Sequence, residues 1–303
     1  MIFENIIGNE KNKKLLEDII AKNKIANAYM FIGQESIGKF LFAKEFAKAI
    51  LCLNENKPCN KCKSCLELEN SNNPDLTIIE PDGNNVKIEQ IRELNKKVVE
   101  KPIVSTKKVY IINDGQNITK EAQNALLKTL EEPPEYVTII LITTSESAFL
   151  PTIKSRCTKI AFSKLTDDEL LKYANIHNIH VNSNLLGTCE GSISKLLSLN
   201  DNLSLYNSLD LIIDNFNNKD IVDVWNEAEV LYKSKDNILD FLDYFNIIFM
   251  NKLRNTNDSR YINAIKIVEK TKNRLSANAN YDMCIDNLLL QIWEEFHESH
   301  NRG

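Results

Sequence analysis

Four cysteines occupy fourteen consecutive positions as Cys52-x6-Cys59-x2-Cys62-x2-Cys65 in a chain of 303 residues. Thiolates at such short intervals can wrap one tetrahedral metal ion. Four protein ligands leave no open position for a reacting water, so the expected site is structural. Lys57, Lys61 and Lys63 lie among these cysteines and favour the thiolate form. Zn²⁺ is the expected metal. An iron–sulfur cluster also takes four cysteines, but no redox motif accompanies them. Cys157, Cys189 and Cys284 stand alone in the sequence and are expected to be simple thiols.

A second constellation is Gly33-Gln-Glu-Ser-Ile-Gly38-Lys39-Phe40. It follows an apolar run and opens a helical pattern, the setting of a phosphate-binding P-loop of form G-x-x-x-x-G-K-[S/T]. Glycines let backbone N–H groups turn toward phosphate oxygens, and the helix N-terminus adds positive potential. Lys39 would lie near the β- and γ-phosphates. The last position is Phe40, where a Ser or Thr hydroxyl normally ligates Mg²⁺. The second metal group, an Asp after a following strand, falls at Val109-Tyr-Ile-Ile112-Asn113-Asp114. With Asn113 in that place the carboxylate is a neutral amide. With Asp114 the register shifts by one, and strand alternation turns the group away. The first alignment is favoured. Both metal groups are then lost, and ATP hydrolysis with Mg²⁺ by this chain is not expected, although Gly33, Gly38 and Lys39 leave nucleotide binding open. The third candidate is Arg156 in Ser155-Arg156-Cys157, one of only six arginines. A guanidinium just after a core strand can act on a neighbouring subunit's phosphates; an ordinary surface ion pair is the simpler role.

The elements that must carry these groups alternate in the first half. Apolar runs Ala28–Ile32, Leu76–Ile79, Val109–Ile112, Val137–Ile142 and Lys159–Phe162 read as strands. Helical spacing covers Lys39 to about Leu53, Val86–Val99 and Thr119–Glu132, the last opened by a Thr cap and closed by Pro133-Pro134. Strands separated by helices predict an α/β fold with a parallel sheet. From Lys164 onward the pattern is helical. Thr166-Asp-Asp-Glu169 has capping-box form, and no proline follows Pro151. Gly187 and Gly191 suggest a small helical subdomain ending near residue 200. The expected domains are 1–163, a P-loop domain with the cysteine insertion at 52–65; 164–204, a helical lid; and 205–303, an all-α domain.

Composition limits the function classes. Hydrophobic residues make up 43% of the chain, and Gly and Pro are scarce at 8 and 7, which fits a helix-rich globular protein. No run approaches the ~20 apolar residues of a membrane span, and the start lacks a secretory pattern; a cytoplasmic protein is expected. Residues 1–163 carry 23 basic against 21 acidic side chains, and residues 164–303 carry 14 against 21. Neither half has the basic stripe of an independent DNA binder.

Taken together, the motifs resemble the delta-prime family of bacterial DNA polymerase III clamp-loader subunits, in the AAA+ group. The resemblance rests on Ala28-Tyr-Met-Phe-Ile-Gly33, the four-cysteine insertion, Asn73-Pro-Asp-Leu76, Gln123-Asn-Ala-Leu-Leu-Lys-Thr-Leu-Glu-Glu-Pro133 and Ser155-Arg156-Cys157, in the family's order over residues 1 to about 163. It implies a subunit that does not hydrolyse ATP. It also implies that Arg156 completes the ATP site of an adjacent motor subunit, and that residues 205–303 form a collar holding a hetero-pentamer with motor and delta subunits. The assembly would load a sliding clamp onto primed DNA. Gly191-Ser-Ile-Ser194 lies where the group often carries a second sensor arginine, and none is present. The motor (gamma/tau-type) subunit is the nearest competitor, but it should have an intact P-loop. An active AAA+ remodelling enzyme would need the missing metal ligands. A zinc-dependent DNA-binding regulator would need a basic surface.

Overall fold

Five short strands form one parallel sheet: β1 (Ala28–Ile32), β2 (Leu76–Ile79), β3 (Lys108–Ile112), β4 (Val137–Thr143) and β5 (Thr158–Ala161), in the order β2-β3-β4-β1-β5. The computed structural model describes residues 2–179, 181 and 183–297. Parallel neighbours cannot be joined by tight turns, so helices cross over between them. α1 (Glu10–Ala21) precedes β1, and the connections are α2 (Lys39–Leu51) and α3 (Lys63–Glu69) before β2, α4 (Ile88–Val98) before β3, α5 (Lys120–Glu131) before β4 and α6 (Pro151–Lys154) before β5. The near-continuous apolar strands are explained by burial on both faces. Tyr29, Phe31, Val109, Ile111, Ile140 and Ile142 face one side, with Phe42 and Phe46 of α2. Met30, Tyr110, Ile112, Ile139 and Leu141 face the other, with Ile91, Leu94 and Leu126 of α4 and α5. The period of two along each strand divides the residues between these two cores.

Local chemistry sets the helix ends. The Thr119 hydroxyl accepts the Ala122 N–H at 3.2 Å at the start of α5, and the helix stops before Pro133-Pro134. α4 begins at Ile88, two residues later than helical spacing predicts, because Val86 forms a parallel bridge with Ile118. α1 and α3 carry no motif that marked them in the sequence.

The chain divides into two compact units, residues 1–169 with 191–193, and residues 170–190 with 194–303. The division falls inside α7 (Asp167–Ile176). That helix opens with the expected reciprocal capping box: the Thr166 N–H donates to Glu169 Oε2 at 2.9 Å, and the Glu169 N–H to Thr166 Oγ1 at 3.3 Å. The second unit is helical throughout its described residues: α8 (Ser183–Thr188), α9 (Ile193–Asp201), α10 (Leu203–Asn215), α11 (Ile221–Glu227), α12 (Glu229–Lys233), α13 (Ile238–Thr256), α14 (Arg260–Ser276) and α15 (Tyr281–His297). Its core is aromatic. Tyr206 meets Phe241 edge-on at 5.5 Å between centroids, and Phe245, Phe249, Tyr261 and Phe296 continue the packing across α13, α14 and α15. No helix among the described residues is long and apolar enough to cross a membrane.

Candidate functional site

The phosphate loop sits at the C-terminal end of β1, an interior strand between β4 and β5. The Gly33 N–H donates to Thr143 O at 3.1 Å, which ties the loop to the end of β4. Gly38 has φ +91° where α2 begins, a backbone conformation that side-chain-bearing residues rarely adopt. Lys39 is only 6% exposed. Its ammonium donates to Gly33 O at 2.6 Å and also to Gln34 O, so it folds back over the loop's own carbonyls. Burial pushes its pKa down, while the charges of Glu35 and Asp114 pull it back up. Gly191–Ile193 belongs to this unit as well. The Ile193 N–H donates to Ser36 O at 3.3 Å. A side chain at Gly191, which has φ +77°, would lie 2.6 Å from Leu165 O.

Phe40 is half-buried against the α2 side of the sheet, and Lys44 Nζ lies 5.8 Å from its ring centroid. An aromatic ring in that place supplies no metal ligand. The strand ladder of β3 ends at Ile112. Beyond it Asp114 takes a left-handed backbone, φ 47°, so alternation no longer fixes direction there. The Asp114 charge acts on Lys39, and its carboxylate also accepts from Asn113 Nδ2 at 3.4 Å and Gln116 Nε2 at 3.3 Å. Gly33, Gly38, Lys39, Asn113 and Asp114 are thus gathered at one end of the sheet, while Phe40 belongs to the core.

The four cysteine sulfurs lie within 4.8 Å of one another. Cys52 directly follows α2, Cys59 lies in the intervening loop, Cys62 caps α3 and Cys65 lies inside it. The Cys52–Cys62 and Cys59–Cys65 sulfur pairs are both 4.0 Å apart. A Zn–S bond of about 2.3 Å sets thiolates about 3.8 Å apart around one ion, so the group fits a single tetrahedral metal. An iron–sulfur core holds its cysteines around several atoms and therefore farther apart. Two backbone N–H groups point at the sulfurs, Cys59 to Cys52 Sγ at 3.4 Å and Cys62 to Cys59 Sγ at 3.3 Å. The Cys59 thiol is pulled down to about 6, chiefly by the Lys61 backbone N–H; backbone dipoles, more than the neighbouring ammonium charges, favour that thiolate. Burial pushes Cys52 and Cys65 up, a penalty that coordination to a cation offsets.

Asn73 and Asp75 brace this centre from beneath. Buried Asn73 donates to Ser64 O and Ser64 Oγ, both at 3.1 Å, and accepts the Asp75 N–H. The Asp75 carboxylate, 1% exposed, accepts the N–H groups of Ile103, Val104 and Ser105 at 2.8, 2.8 and 2.6 Å. Ser105 Oγ donates to Leu51 O at 2.7 Å. The Asn-Pro-Asp segment therefore joins both buried cysteine neighbourhoods to one surface loop. This role was not legible in the sequence, because the loop it holds lies about thirty residues away.

Ser155, Arg156 and Cys157 follow the single turn of α6. Cys157 is half-buried against the α4–α5 side of the sheet, and burial raises its thiol to about 11. Ser155 is exposed and its hydroxyl donates to Thr152 O at 3.0 Å. Arg156 is exposed, with NH1 on Thr152 O at 2.8 Å and NH2 on Glu131 at 2.8 Å.

A P-loop after an interior strand of a five-stranded parallel sheet, followed by a helical unit, defines the class as an AAA+-type P-loop protein. Residues 8–166 match the family model described as DNA polymerase III, delta subunit, and the chain belongs to that family, among the clamp-loader subunits of DNA polymerase III. The delta' subunit of Bacillus subtilis is 28% identical, with 93% of this chain and 95% of the relative aligned. The tau subunit of the same organism is 36% identical over 66% of this chain but 35% of its own length. The gamma/tau subunit of Mycoplasma genitalium is 38% identical over 57% of this chain and 29% of its own length. The chain thus spans about a third of these longer relatives. A gamma-subunit-related protein of Thermotoga maritima aligns over 93% of this chain at 19% identity, with a TM-score of 0.45.

Proposed function

We propose that this chain is a delta-prime-like clamp-loader subunit that does not hydrolyse ATP and that lends Arg156 to the nucleotide site of a neighbouring motor subunit. The observation that carries the first half is Phe40. It takes the sequence place of the Mg²⁺-ligating hydroxyl and lies half-buried against the core. Phosphoryl transfer depends mainly on positioning and charge neutralisation around the metal, so loss of that ligand removes the chemistry while the loop keeps its shape. The second half is supported by an exposed guanidinium beside a core strand. A guanidinium is planar, always charged and matched to phosphate oxygens. In this reading residues 164–204 act as a lid, and residues 205–303 as a collar that joins motor and delta subunits in a hetero-pentamer. Clamp and primed DNA are reached through that cytoplasmic complex. The cysteine centre holds one structural Zn²⁺ through Cys52, Cys59, Cys62 and Cys65.

The competing reading is a motor subunit, favoured by the higher identity to tau and gamma/tau chains. Phe40 weighs against it, as does the near full-length alignment with a delta' subunit. Two measurements separate them. The purified chain is expected to show no Mg²⁺-dependent ATP turnover above background. In a complex reconstituted with the motor and delta subunits, Arg156→Ala is expected to leave assembly intact and to slow clamp-stimulated hydrolysis at the adjacent site, where an arginine finger is usually worth ~10³-fold or more. Turnover by the isolated chain, or an unchanged rate with Arg156→Ala, would overturn the corresponding half.

A further inference from the structure

We propose that Glu131 is the positioning residue for Arg156, an inference that rests on Arg156 acting at a neighbouring subunit's nucleotide. The observation is the contact itself: Arg156 NH2 lies 2.8 Å from Glu131 Oε1. It joins two motifs that are 25 positions apart in the sequence, the Leu-Glu-Glu-Pro end of α5 and the Ser-Arg-Cys turn after α6.

An exposed arginine on a single helical turn has many rotamers, and each wrong one misplaces the guanidinium. Three contacts narrow the choice here. Glu131 Oε1 attracts NH2 as an ion pair at 2.8 Å, Thr152 O accepts from NH1 at 2.8 Å, and Ser155 Oγ accepts from NH1 at 3.4 Å. The two hydrogen bonds use two of the five N–H donors of the fork, so others are left for a phosphate oxygen. The two carriers are themselves tied together. Buried Gln123 of α5 donates to Ala148 O at 2.9 Å and accepts the Leu150 N–H at 2.8 Å, which fixes the segment leading into α6. Glu131 therefore reads its position from the same helix that holds the base of the arginine turn.

Stability does not explain the residue. A carboxylate in the last position of α5 faces the negative end of the helix dipole, where a basic side chain would be favoured. A solvent-exposed ion pair also contributes little to folding. What the pair does supply is a bias, because opposite charges 2.8 Å apart draw the guanidinium toward the end of α5 and away from its other rotamers.

The test uses the complex reconstituted with the gamma/tau-type subunit and ATP as the probe. kcat and KM are measured for Glu131→Ala, Glu131→Gln, Arg156→Ala and the double variant Glu131→Ala/Arg156→Ala, with assembly followed by size-exclusion chromatography. Glu131→Ala is expected to assemble normally and to lower kcat roughly tenfold with KM for ATP unchanged, less than the loss from Arg156→Ala. Glu131→Gln keeps an oxygen acceptor for NH2 and should recover most of the rate. In the Arg156→Ala background the Glu131 change should cost nothing further, the mark of two residues acting as one unit. An unchanged or higher kcat with Glu131→Ala overturns the proposal, as does a full loss that persists without Arg156. If Arg156→Ala itself leaves kcat unchanged, the finger role fails and takes the positioning role with it. If Arg156→Ala is impaired and Glu131→Ala is not, only the positioning role fails.

Discussion

At the scale of single residues, Phe40 is the first support for the proposed lack of ATP turnover at the nucleotide loop. Phe40 stands where a hydroxyl would hold Mg²⁺, and its ring is half-buried against the core instead of directed to a ligand. Replacing it with serine removes apolar contacts from a packed face. Phe40→Ser should destabilise the first unit by about 2 kcal/mol, below the ~3–5 of a fully buried Phe→Ala, as measured by urea unfolding. It should not create ATP turnover, because the Asp114 carboxylate that acts on Lys39 is carried on a left-handed turn one residue past the strand position of the second metal group. Lys39 illustrates how context alters a familiar residue. It keeps the identity of the phosphate-binding lysine, yet its ammonium is bound to the carbonyls of Gly33 and Gln34, contacts a phosphate would have to displace.

At the scale of elements, the cysteine insertion is part of a braced corner that includes α2, α3 and the loop at 103–105. Asp75 holds three backbone N–H groups of that loop, and Asn73 ties Asp75 to Ser64 beside Cys65. Asp75→Ala leaves those half-buried donors without their acceptor and empties a buried carboxylate site. It should cost about 3 kcal/mol or more, since each unmet buried group costs roughly 1–3; chemical denaturation followed by near-ultraviolet circular dichroism would read it. The same brace predicts reach for metal removal. Chelation should release the metal and raise amide exchange at Ile103, Val104 and Ser105 about tenfold, though none of these is a ligand. Exchange unchanged outside residues 52–65 would show that the centre is isolated from the loop. Elemental analysis should find about one zinc per chain, and iron would overturn the assignment of the metal.

At the scale of the whole chain, charge is divided unevenly. The C-terminal part, residues 164–303, is acidic and the N-terminal part close to balanced, so neither part carries the net positive charge of an independent DNA binder. The purified chain should therefore bind primed DNA weakly, with little of the steep salt dependence that phosphate neutralisation produces. Nanomolar binding that falls sharply between low and physiological salt would contradict this. Helical packing in the second unit depends on aromatic contacts such as Tyr206 with Phe241 and Phe249 with Tyr261, which suits a unit built for rigidity. Pull-down with motor and delta subunits would test its collar role.

The sequence by itself determined the parallel sheet, the helical second half, the four-cysteine group and the fault at Phe40. Each depends on local spacing: a period of two in strands, of 3.6 in helices, or a motif of a few adjacent residues. Only the tertiary structure decided which side the groups past β3 serve, because alternation ends with the strand at Ile112 and the left-handed Asp114 redirects the chain. It also decided that Asp75 serves a loop beginning at Ile103 and that Glu131 meets Arg156. These pairs are joined by chain crossovers whose length hides them from any local pattern. The departure of the nucleotide loop from the P-loop pattern is thus visible in one residue, whereas the surroundings of Arg156 are assembled from segments that only the fold brings together.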